Sequence, residues 1–94
     1  MLKSKEIKFL RSKANTLDSL FQVGKDGVSK NVIQAVNNAL EAQELIKINV
    51  LKTADEEVRA IAYDIASATN AEIIQIIGRV IVLYRKSKKE IYKF

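Results

Sequence analysis

The sequence predicts one compact α/β domain in the order α-β-α-β-α-β-β, with a four-stranded mixed sheet and helices packed against it. Three observations carry that expectation. Apolar residues recur at helical spacing in three separate stretches. Short β-type runs lie between those stretches. Near the C-terminus, two further apolar runs are separated only by Gly78-Arg79, the spacing of a tight hairpin. Strands reached through helices favour a mixed sheet. The 94 residues suffice for one domain, 1–94, that buries a modest core without a metal or disulfide. Its core is expected over about 2–86, followed by a basic tail at 87–94.

Each element has a local reason. Ile7, Leu10, Ala14 and Leu17 place an apolar line along a helix over 4–14, and Asn15-Thr16 suits its end. Residues 19–23 read as a short strand, and Gly24-Lys25-Asp26-Gly27 as a turn. Ser29 is an N-cap for a second helix, where Val32, Ile33, Val36 and Leu40 form the clearest amphipathic face in the chain. Residues 45–50 alternate with period two, turning Ile46, Ile48 and Val50 to the core and Lys47 and Asn49 outward. Thr53 and Glu56 have capping-box spacing and place the start of a third helix there. That helix runs to about Thr69, with Asn70 as its stop. The runs 73–77 and 80–84 are apolar at nearly every position, as strands covered on both faces or central ones are. The Lys-rich tail reads as mobile or weakly helical.

Composition narrows function by exclusion. The chain has no His, Cys, Trp or Pro. Zinc fingers, thiol nucleophiles and Ser-His-Asp triads are therefore excluded. Neither nucleotide-binding glycine pattern is present. The carboxylates mark helix ends or stand alone, so no enzyme, cofactor, metal or small-molecule substrate is expected. No stretch approaches the ~20 apolar residues of a membrane span. The charged N-terminus is not a signal peptide. A cytoplasmic monomer is expected.

The net charge of +5 is unevenly distributed. Residues 1–30 carry +4, residues 31–78 carry −4 and residues 79–94 carry +5. If the two basic ends meet in the fold, they form a face that attracts a polyanion and releases its counterions. The acidic surplus would then point away. Lys5, Lys8 and Arg11 make a polar stripe on the first helix. Gly24, Lys25, Asp26 and Gly27 join a strand to a helix N-terminus, with Lys30 in the first helical turn, a layout suited to anion binding. Arg79, Arg85, Lys86 and Lys88 complete the candidate set. Phe9, Phe21 and Phe94 are scattered, so contact with phosphates and shape is favoured over base stacking.

The blocks Leu10-Arg11-Ser12-Lys13-Ala14, Phe21 through Val28, Ala39 through Lys47 and Gln75 through Arg85 resemble the CRM domain family of RNA-binding proteins. The single-domain bacterial YhbY-like branch is the nearest in pattern, and the resemblance spans residues 2 to about 86. It implies a fold similar to the C-terminal domain of translation initiation factor three. It also implies binding to large-subunit rRNA in a precursor ribosomal particle and a part in ribosome biogenesis. The family's GxxG loop maps onto Gly24, Lys25, Asp26 and Gly27, and its basic first helix onto Lys5, Lys8 and Arg11. Asn15, Ser19 and Gln43 stand where the family often has His, Pro and His. Any role of those histidines therefore does not transfer. A basic protein-interaction module and a DNA-binding module without rRNA specificity are the alternatives.

Overall fold

The computed structural model describes residues 2–94; residue 1 of the expected domain lies outside them. The elements are α1 (Ser4–Ala14), β1 (Ser19–Val23), α2 (Lys30–Gln43), β2 (Leu45–Val50), α3 (Val58–Thr69), β3 (Glu72–Ile77) and β4 (Val80–Tyr84). They form one four-stranded sheet in the order β1-β2-β4-β3. β1 runs parallel to β2, while β4 is antiparallel to both of its neighbours. The sheet is therefore mixed, as expected. Among the described residues, no helix is long and apolar enough to cross a membrane.

Strand alternation sends side chains to two separate cores. On one face Val23, Ile46, Ile48, Val50, Ile81 and Leu83 pack against Val36 and Leu40 of α2 and Ile61 and Ile65 of α3. On the other, Leu45, Ile74, Val82 and Tyr84 pack against Leu10 and Ala14 of α1. β4 is thus buried on both sides, which explains its uninterrupted apolar sequence. β3 has equally apolar residues but lies at the edge, and Ile77 is 57% exposed. A bulge between Ile73 and Gln75 turns Ile74 into the α1 core, and the Ile74 carbonyl accepts a hydrogen bond from Arg11 Nε at 3.3 Å.

Two local expectations need correction. Thr53 and Glu56 do not open α3, which begins at Val58 behind Glu57. Residues 51–54 instead form a turn closed by the Ala54 N–H on the Leu51 carbonyl, and partly buried Ala54 packs into the larger core. That packing and turn outweigh the local capping signal.

The second correction concerns the tail, which is neither helical nor detached. Glu44 ends α2 at φ 65° and is fully buried. One carboxylate oxygen accepts from the Ser87 N–H at 2.7 Å and the Ser87 hydroxyl at 2.8 Å. The other accepts from the Tyr92 N–H at 3.0 Å. The returning chain brings Tyr92 and Phe94 against Phe9 and Tyr84 in four edge-on ring contacts. Aromatics that are scattered in sequence become one cluster, joining the N-terminal helix to the C-terminal segment.

Burial alone would raise the Glu44 pKa, but the hydrogen bonds from Tyr92 and Ser87 hold it below the usual carboxylate value. A folded-state pKa below the unfolded one adds stability above the unfolded value and loses it as pH falls through the folded value. Docking of the tail should therefore weaken in acid, below the normal carboxylate range. Glu44→Ala should cost about 2 kcal/mol or more at neutral pH, because charge-accepting hydrogen bonds are lost together. Urea unfolding followed by circular dichroism checks the cost, and amide exchange at Ser87 and Tyr92 checks the release.

Candidate functional site

Three connections meet at one end of the sheet. The Leu51 N–H bonds to the Val23 carbonyl at 2.8 Å, and the Val50 N–H to the Arg79 carbonyl at 2.8 Å. The Gly24–Gly27 turn, the 51–54 turn and the Gly78-Arg79 hairpin are therefore neighbours.

The first turn is closed by the Gly27 N–H on the Gly24 carbonyl at 3.0 Å. Gly27 has φ 63°, a conformation that side chains with a Cβ rarely adopt. Gly24 is needed for space: an added Cβ would lie 3.2 Å from Thr53 Oγ1 and 3.3 Å from Leu51 Cδ1. Lys25 and Asp26 are exposed at the tip. α2 starts three residues after Gly27, with Lys30 exposed in its first turn. Ser29 Oγ accepts from the Val32 N–H at 3.2 Å, so one helix-terminal donor already has a partner. The anion-facing element is consequently the turn with Lys25 and Lys30 beside it, more than the helix end itself.

The expected cations fall into two groups. Lys5, Lys8 and Arg11 are exposed along α1. Phe9 and Lys13 share the flank of α1 that meets the tail, with the Lys13 ammonium 5.4 Å from the Phe9 ring centre. Lys8 and Arg11 take the opposite flank. Lys86 and Lys88 are exposed at the far end of β4. Arg79 and Arg85 flank the five residues of β4 and stand six strand steps, about 20 Å, apart, so the C-terminal cations do not surround the glycine turn.

Both strand-end arginines are occupied. Arg79 donates from Nε to the Val50 carbonyl at 2.8 Å and from Nη2 to the Leu51 carbonyl at 2.6 Å. Arg85 donates from Nη1 to Asn37 Oδ1 and the Thr69 carbonyl, and from Nη2 to the Asn37 carbonyl and Glu41 Oε1. It thereby ties β4 to the ends of α2 and α3. No spacing rule marks an arginine that bonds to carbonyls distant in sequence, so the sequence placed both in the same class as the lysines.

The acidic surplus is not entirely turned away. A Cβ at Gly27 would lie 3.8 Å from Glu56 Oε1, so that carboxylate stands beside the turn together with Asp26. The cause is the late start of α3, which leaves residues 55–57 in the connection facing the turn. Sequence reasoning also missed Glu44, whose tail partners lie more than 40 residues downstream.

The structure separates arginines that hold the fold from lysines that do not. Arg79→Ala should lower stability by about 1–2 kcal/mol, since it removes two hydrogen bonds to carbonyls of a connecting turn. Lys25→Ala should stay within about 0.5 kcal/mol of the parent. Paired thermal melts read both values.

The profile of the CRS1 / YhbY (CRM) domain matches residues 2–85. A Bacillus subtilis protein named "Probable RNA-binding protein YqeI" is 45% identical over 89 residues, covering 95% of this chain and 93% of its own. A Haemophilus influenzae protein named "RNA-binding protein" is 34% identical over 88 residues, covering 94% of this chain and 89% of its own. The solution structure of the Staphylococcus aureus protein SAV1595 is 40% identical and superposes with a TM-score of 0.81, covering 96% of this chain and 94% of that one. With a family match over nearly all of its length and relatives this similar, the chain belongs to the CRS1 / YhbY (CRM) domain family.

Proposed function

We propose that this chain binds RNA, and that its target is rRNA of the precursor large ribosomal subunit, whose assembly it assists in the cytoplasm without catalysing a reaction. The observation that carries the reading is the set of exposed cations on α1 and at the glycine turn, Lys5, Lys8, Lys25 and Lys30, in a chain whose relatives are named as RNA-binding proteins. The resemblance to YhbY-like proteins supplies the ribosomal target.

Binding begins with charge. The exposed ammonium groups replace condensed counterions along phosphates, and the released ions drive association. The Gly24–Gly27 turn lets backbone approach backbone, with Lys25 and Lys30 adding local charge. Arg11 is held toward the sheet by its bond to Ile74, which fixes one cation between α1 and β3. Arg79 and Arg85 act here chiefly by holding the connections in place.

In a filter-binding titration with a structured rRNA fragment, replacing Lys8 and Lys25 together with Ala should weaken binding and reduce the salt slope by up to about 2 phosphate equivalents. An unchanged slope would remove these two lysines from the interface. Crosslinking in cells followed by sequencing of the bound RNA tests the target. Fragments concentrated in large-subunit rRNA agree with the proposal, and fragments scattered across all transcripts contradict the assembly role.

A further inference from the structure

The α1 face of the sheet is only half covered. Its side chains lie in rows set by the strand register. Leu45 and Tyr84 form the row under α1, with Val82 buried in the next row. Flanking Val82 are Lys47 on β2 and Gln75 on β3, both half-buried. The row nearest the glycine turn is Gln22, Asn49, Val80 and Ile77, one residue from each strand. Phe21, Ile48, Ile81 and Ile76 alternate with them and pack on the opposite face, which fixes this orientation. Gln22 and Ile77 are exposed, and Asn49 and Val80 are half-buried.

These positions have an unusual chemistry for an open sheet face. Among the described residues, three primary amides and one ammonium project from these two rows; the exposed carboxylate of Glu72 lies on the same side of the sheet one row further on, beside Tyr84. None of Gln22, Lys47, Asn49 and Gln75 makes a side-chain hydrogen bond to another described residue. Ile77, 57% exposed, and Leu20, 42% exposed, add apolar surface at the edge strands. Arg11, bonded to the Ile74 carbonyl, stands at the border between α1 and this surface. The face begins two residues before Gly24, on the same strand as the turn.

From this juxtaposition we infer that the uncovered half of the sheet reads unpaired nucleobases, with Gln22, Asn49 and Gln75 contacting base edges and Lys47 adding charge. The inference rests on the RNA-binding reading above and says which part of an RNA the chain reads. A primary amide offers a donor and an acceptor side by side, the pattern that pairs with a base edge. Bases splayed from a loop or bulge expose those edges, whereas in a paired A-form helix the Watson–Crick edges are occupied and the major-groove edges lie too deep to reach. The face carries no aromatic ring, so recognition here works through hydrogen bonds and apolar contact. Phosphates held at the glycine turn would bring the following bases onto the row that starts at Gln22. The positive charge of Lys47, with no carboxylate in its row or in the row next to the glycine turn, favours a polyanion over a second copy of this chain.

The test uses hairpin RNAs with a randomised loop, selected on the full chain and on the variant Gln22→Ala/Asn49→Ala/Gln75→Ala. The parent should enrich particular loop nucleotides. The variant should lose at least about tenfold of that discrimination while keeping the parent's salt slope. 4-Thiouridine in the selected loop should crosslink to peptides containing Gln22, Asn49 or Gln75. Equal enrichment by parent and variant, or crosslinks only to α2 and α3, would overturn the inference and leave salt-dependent RNA binding standing. A parent that shows no salt-dependent RNA binding removes both. Light scattering showing a parent dimer that the variant Leu20→Ser/Ile77→Ser converts to monomer would assign the face to self-association and overturn it.

Discussion

Everything in this fold is arranged around the burial of one strand from both sides. β4 enters between β2 and β3, presenting Ile81 and Leu83 to one face and Val82 and Tyr84 to the other. Two apolar faces require two covers. α2 and α3 supply the first, and α1 the second. One helix is narrower than two, so the second face is covered only in part. The half-open sheet thus follows from the number of helices available, and it puts Gln22, Lys47 and Asn49 where solvent or a ligand can meet them.

The polar groups at the two ends of β4 keep this arrangement in place. At the start of β4, Arg79 holds the carbonyls of Val50 and Leu51, which locks the hairpin to the connection after β2. At its end, Arg85 joins α2 and α3 through Asn37 and Thr69. Buried Glu44 then secures the returning tail. Each of these groups is anchored by two or more hydrogen bonds within the protein. Among the described residues, the exposed lysines on α1 and at the turn are not anchored in this way. This division separates side chains that build the surface from side chains free to meet a polyanion on it.

Much of this was legible in the sequence, for identifiable reasons. The spacing of Val32, Val36 and Leu40 fixes α2 locally, and the alternation of Ile46, Ile48 and Val50 fixes β2. Ser29 starts α2 by a side-chain cap and Asn70 ends α3 in the left-handed conformation, both local rules that operate over a few residues. What escaped depends on distant partners. Glu44 looks like an ordinary helix-end acid until residues 87–92 return to it. Thr53 has the spacing of a cap, but Ala54 is drawn into the core and the helix starts later. The glycine turn was found correctly, while the carboxylate of Glu56 beside it follows from that later start. The amides on the open face were invisible for another reason: alternation places Asn49 outward but cannot say which cover is missing above it.

On this reading the exposed cations of α1 and the glycine turn, and not the outer surface of α2 and α3, form the nucleic-acid interface. The most direct measurement is an amide chemical-shift titration of the full chain with a structured rRNA fragment at fixed salt. Shifts are expected to concentrate at Lys8, Arg11 and Gly24 through Gly27, with Asn38 on α2 and Ser67 on α3 unmoved. Shifts confined to the exposed sides of α2 and α3 would contradict it.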